Sequence, residues 1–139
     1  MTNQSLFASL LSLNNIGQLY ADDGTFLGLL STDSWNDLSI INPRTYANPY
    51  TLDSIQNKNG FYGSTYGLFS PYNPHCLTPP WILVDGQPVI AVTVNQYYLS
   101  NGKPIITPDV LISTYQLASQ QQGFGHFQNT NWNYLDNLF

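Results

Sequence analysis

Three tight turns, each centred on an Asp-Gly or Asn-Gly pair, interrupt stretches of this chain rich in β-branched and aromatic residues. Such pairs supply the positive φ that a two-residue hairpin loop requires, so between apolar runs they mark hairpins. Residues 16–21 and 25–30 flank Asp22-Asp23-Gly24. Residues 81–84 and 88–94 flank Asp85-Gly86, and residues 96–100 and 103–106 flank Asn101-Gly102. Pro88 and Pro104 each open a strand, where a missing N–H is tolerated. The pattern predicts an antiparallel meander and a β-rich α+β fold.

Two helices are expected beside the strands. Leu6, Leu10 and Leu13 recur at helical spacing within residues 2–13. The second helix is better marked: Thr107 can cap it, Pro108 suits its first position, and Asp109 complements its dipole. It should run over 108–121, burying Leu111, Tyr115 and Ala118, with Gly123 past its end. With 139 residues, the expectation is one domain over 1–122 followed by an Asn/Gln-rich aromatic tail over 123–139.

Residues 35–80 carry neither the helical nor the strand period, yet a structureless loop of that length inside a domain is improbable. A short repeat runs through them. Ser39-Ile40-Ile41-Asn42 returns as Ser54-Ile55-Gln56-Asn57, and in weaker form as Ser70-Pro71-Tyr72-Asn73. Tyrosine pairs at a spacing of four follow the first two copies: Tyr46 with Tyr50, and Tyr62 with Tyr66. The copies lie 15 and 16 residues apart, too close for the common helical repeats. An irregular but ordered Tyr/Asn/Pro-rich lobe laid over the hairpins is the expected result.

The tandem Ser-Ile-x-Asn and Tyr-Gly-Ser-x-Tyr pattern, clearest over Ser54 to Tyr66, resembles that of small uncharacterised cyanobacterial proteins. In those, an Asp-Gly-x-x-Leu-Gly hairpin precedes the repeats, matched here by Asp23-Gly24-Thr25-Phe26-Leu27-Gly28; a Pro-Pro pair and a second hairpin follow, matched by Pro79-Pro80. The resemblance covers residues 18–95 and departs at Tyr46-Ala47-Asn48-Pro49-Tyr50, which replaces the Tyr-Gly form. It implies an architecture and no activity.

Composition narrows the choice of partner. Only 8% of residues are charged; Lys and Arg together number three, and the formal charge is −5. Nucleic acid and anionic membrane surfaces both need clustered cations, so neither is expected. No apolar run is long enough to span a membrane. The N-terminus lacks the basic start and small-residue cleavage site of a signal peptide, which points to the cytoplasm with unconventional export left open.

Tests for chemistry return little. His75-Cys76 is an adjacent pair, poorly placed for one ion or for a nucleophile and its base, so neither metal nor cofactor is expected. Asp22, Asp23 and Asp85 sit where turns favour Asp, and Asp109 where a helix does. Asp33, Asp37 and Asp53 are the acids left for an Asp-dependent hydrolase, which is one alternative.

A surface of Tyr, Trp and Asn with few charges fits binding better. Candidate contact residues are Trp35, Tyr46, Tyr50, Tyr62, Tyr66 and Tyr72 in the lobe and Trp132, Tyr134 and Phe139 in the tail. The competing expectation is that the lobe rings form the lobe's own core. A non-enzymatic protein-interaction or assembly protein, binding itself or another protein, is the expected function. A carbohydrate-binding module contacting a glycan is the other alternative.

Overall fold

The computed structural model of the chain describes residues 3–123. Its elements are α1 (Asn3–Leu11), β1 (Gln18–Tyr20), β2 (Phe26–Leu29), β3 (Trp81–Val84), β4 (Gln87–Val92), β5 (Ile105–Ile106) and α2 (Pro108–Gly123). The strands form one sheet in the order β2-β1-β3-β4-β5, giving the mixed, β-rich α+β class read from the sequence. The tail candidates Trp132, Tyr134 and Phe139 lie outside the described residues.

The first two hairpins form around their Asp-Gly turns, with Gly24 at φ 88° and Gly86 at φ 77°. The third turn forms as well, with Asn101 at φ 57° and Gly102 at φ 85°, but no hairpin follows from it. Residues 96–100 are not a strand. Instead β5 joins β4 in parallel, Ala91 facing Ile105 and Val92 facing Ile106. The turn reverses the chain, and the reversal is spent returning β5 to an edge that β4 already offered.

Leu19, Ile82 and Ile90 face one another across β1, β3 and β4, and all are buried. Against them pack Leu10 of α1, and Leu111, Ile112 and Tyr115 of α2. The expected α2 face of Leu111, Tyr115 and Ala118 is fully buried. Thr107 accepts the Val110 N–H at 3.2 Å, capping the helix as its sequence requires. The Tyr115 hydroxyl donates to the Leu10 carbonyl, tying the two helices together.

Residues 30–80 carry the chain from β2 to β3, which lie on either side of β1. They do the work a crossover helix would do, contributing Ile40, Ile41 and Ile55 to the same core. Their backbone is a ribbon of consecutive turns. From Asn36 to Gly60, every third residue donates its N–H to the carbonyl three positions back. The series resumes from Ser64 to Cys76, after one extra residue that lets Gly63 and Ser64 both bond Gly60.

A second layer of bonds fixes the turns that open on Asp, Asn or Ser. The side-chain oxygen of the opening residue accepts the N–H two residues on, as Asn36 does for Leu38 and Asn42 for Arg44. Asn and Ser favour this local geometry over helix or strand, which is why the segment has neither period.

The repeat seen in the sequence is the part of the ribbon turned inward. Ser39, Asn42, Ser54 and Ser70 are fully buried, and Asn57 nearly so. Ser39 and Ser54 each donate to the carbonyl eight residues back, Ser31 at 2.7 Å and Tyr46 at 2.7 Å. Asn42, Asn57 and Asn73 each donate to the carbonyl six residues back, at 3.0, 3.1 and 2.9 Å.

Candidate functional site

The six lobe candidates divide into two groups of three. Tyr46, Tyr62 and Tyr72 are half-buried and pin the ribbon to the rest of the fold. Tyr46 packs edge-on against Phe26 of β2, with centroids 5.2 Å apart. The Tyr62 hydroxyl meets Asp23 Oδ2 at 2.7 Å and Thr25 Oγ1 at 2.9 Å, clamping the first hairpin turn. The Tyr72 hydroxyl donates to Asp109 Oδ1 at 2.8 Å at the start of α2, and Lys58 Nζ lies 4.7 Å from its ring centroid. These three reach to β2, the first hairpin turn and the start of α2 rather than closing a core of the lobe's own.

Electrostatics follows from those contacts. The Tyr62 hydroxyl holds the Asp23 carboxyl below the usual aspartate range. Burial, then Asp109, pushes the Tyr72 phenol well up, while burial and the charge of Asp53 raise Tyr46.

Trp35, Tyr50 and Tyr66 form the other group. Each sits two residues past a turn-opening side chain, its N–H bonded to Asp33 Oδ1 at 3.0 Å, Asn48 Oδ1 at 2.8 Å or Ser64 Oγ at 3.1 Å. They occupy the same place in successive copies, and they are 76, 87 and 89% exposed. Arg44 holds its guanidinium carbon 5.1 Å from the centre of the Trp35 ring.

The column has a fourth member that the repeat did not reveal. Pro79 stands where the next turn should begin and has no N–H for the Cys76 carbonyl. Asn95, arriving after β4, donates its Nδ2 to that carbonyl at 2.9 Å, and its Oδ1 accepts the Tyr97 N–H at 2.9 Å. Asn95 thereby replaces the missing turn residue, and Tyr97, 85% exposed, takes the place corresponding to Tyr50 and Tyr66. The detectable signal was a polar residue two positions before an aromatic, outside the repeat.

Between the second and third copies lies a groove of about 520 Å³, lined by Leu52, Asp53, Asn59, Phe61, Tyr62 and Tyr66 among others. Leu52 and Phe61 are exposed, as are Leu68 and Leu77 further along, so the ribbon face is apolar beyond its aromatics. Sequence reasoning missed these four, although Leu52 with Leu68 and Phe61 with Leu77 recur at the 16-residue spacing of the second and third copies.

Of the three acids held open for hydrolysis, Asp33 is engaged in its turn and Asp53 lines the groove. Among the described residues no second carboxylate lines that groove.

His75 and Cys76 face opposite ways, the imidazole exposed and the thiol buried and bonded to the Leu68 carbonyl at 3.0 Å. Burial raises the thiol pKa. Among the described residues no cluster of three metal-ligating side chains occurs, and no helix is long and apolar enough to cross a membrane. Compared with protein-family models, with curated proteins and with solved structures, the chain matches none.

Proposed function

We propose that this chain is a non-enzymatic assembly protein that docks, through the outer face of its turn ribbon, onto a second copy of itself. The observation that carries this reading is the column Trp35, Tyr50, Tyr66 and Tyr97, four exposed aromatics held in equivalent positions by the same turn device. Large rings on a backbone already fixed by hydrogen bonds lose little freedom on docking, which favours association. Leu52, Phe61 and Leu68 widen the face beyond the isolated apolar residues normal on a monomer.

Charge supports a like partner. Over residues 33–80 the fixed charges are Asp33, Asp37, Asp53, Arg44 and Lys58, a net of −1, so two copies meeting through the ribbon bring little like charge together. A self-complementary patch also satisfies a two-fold interface, in which each copy offers the same surface.

The test is the absolute mass of the full-length protein by light scattering across a concentration series. A discrete multimer is expected, reverting to monomer in Tyr50→Ser/Tyr66→Ser with an unchanged circular dichroism spectrum. A monomer at every concentration overturns the reading, as does a multimer indifferent to that double substitution.

A further inference from the structure

The sheet has a second face, and its composition is not that of an ordinary solvent-facing surface. One row of paired residues crosses all five strands: Phe26, Tyr20, Trp81, Ala91 and Ile105. Every member is apolar or aromatic, and each neighbours in sequence a residue of the core face. Tyr20 and Phe26 meet edge-on at 5.4 Å, and Trp81 and Tyr98 at 6.2 Å. The Trp81 indole N–H donates to the Tyr98 hydroxyl at 3.3 Å, so the indole plane is set by its neighbours.

In this face lies a shallow cleft of about 390 Å³, lined by Tyr20, Asp22, Trp81, Leu83 and Pro88 together with Ala21 and Gly24. That volume is within the range of roughly 300–1,000 Å³ typical of small-ligand sites.

One charged group lines the cleft and one of opposite sign stands beside it. Asp22 is the acid of the lining. Lys103 supplies the base: its Nζ lies 6.0 Å from the Trp81 centroid and donates to the carbonyl of Pro88 at 2.8 Å. An ammonium has three protons, so two remain for a ligand. The Asp22 end is held firm by the turn around it, since Asp23 is bonded both to Tyr62 and to the Thr25 N–H.

We infer that this cleft is a binding site for a neutral sugar, a single unit or the end of an uncharged oligosaccharide. A pyranose offers an apolar face of C–H groups to fixed aromatic rings and hydroxyls around its edge. The Tyr20 and Trp81 rings meet the first requirement; the Asp22 carboxylate as acceptor and the Lys103 ammonium as donor meet the second. A cationic ligand, the usual guest of an aromatic cage, meets Lys103 already at the ring. An anionic ligand meets Asp22. The site is independent of the ribbon column and of whether the chain self-associates.

The experiment titrates neutral gluco-, xylo- and galacto-oligosaccharides into ¹⁵N-labelled full-length protein and follows the indole N–H of Trp81. A saturable shift with at least one of them is expected, and Asp22→Ala and Lys103→Ala should each weaken it about tenfold or more. Both side chains are exposed, so both variants keep the fold. Tyr66→Ser should leave the affinity unchanged. The inference falls if no saccharide moves the Trp81 resonance. It falls equally if the shift survives both substitutions at full affinity, follows Tyr66 instead, or is produced more tightly by tetramethylammonium.

Discussion

Asn42, Asn57 and Asn73 each use both ends of the side-chain amide. Oδ1 accepts the N–H two residues ahead, at 2.9, 3.0 and 2.9 Å, while Nδ2 donates to the carbonyl six residues back. Aspartate keeps the first bond and loses the second. Asparagine at these three positions therefore reflects a structural demand in the ribbon, where a carboxylate cannot donate. Asn57→Asp should cost about 1–3 kcal/mol in urea unfolding, because a carboxyl group at this buried position no longer donates to the Thr51 carbonyl; an unchanged midpoint would contradict the role. Asp23 offers a pH test. Its folded pKa is depressed, so the stability from its bond to Tyr62 is present above the unfolded value near 3.9 and is lost as pH falls through the lower folded value. The melting-temperature gap between wild type and Asp23→Asn should thus be constant near neutrality and close in acid. Ser-Ile-x-Asn was readable as a repeat from the residue order alone, but its inward orientation was not, since that depends on carbonyls six and eight positions away.

At the scale of elements, what was legible was what local chemistry decides. Two Asp-Gly turns set two hairpins, and Thr107-Pro108-Asp109 set the start of α2. The parallel pairing of β5 with β4 is decided by Ala91 meeting Ile105, and no neighbouring residue announces it. The ribbon was opaque for a different reason: its period of three is neither that of a strand nor that of a helix, and a second layer of its bonds joins side chain to backbone. Its far end gives a prediction. Asn95→Ala leaves the buried Cys76 carbonyl without its donor and releases Tyr97, at a cost of about 1–3 kcal/mol. Gln96→Ala, at an exposed neighbour, is the control and should be near neutral. Equal stability for the two variants would remove Asn95 from its capping role. Of the candidate site, Trp35, Tyr50 and Tyr66 were legible as aromatics, but only the turn geometry separates them from Tyr46, Tyr62 and Tyr72.

For the molecule as a whole, one core joins ribbon, sheet and helices, with Ile40 and Ile55 in the same cluster as Leu19, Ile82 and Tyr115. Neither part has a separate interior to fall back on, so unfolding should be a single cooperative step. Far-ultraviolet circular dichroism and tyrosine fluorescence should give coincident urea transitions; a ribbon that melts first would split them. Cys76 provides an independent probe, since its buried thiol with raised pKa should resist thiol reagents in native buffer and react once the fold opens. The ribbon also carries something like a reading frame. Its inward serines and asparagines all belong to the series of third residues, so losing one residue in 36–57 would shift the later side chains out of phase and set buried groups outside. Loss of three removes one turn and keeps the period of three, but it breaks the 15-residue recurrence that turns Ser54 and Asn57 inward. The chain records one frameshift of its own, the extra residue after Gly60, and it is corrected at once. A Cβ at Gly63 would lie 2.3 Å from the Asn57 carbonyl oxygen, so only glycine could make that correction.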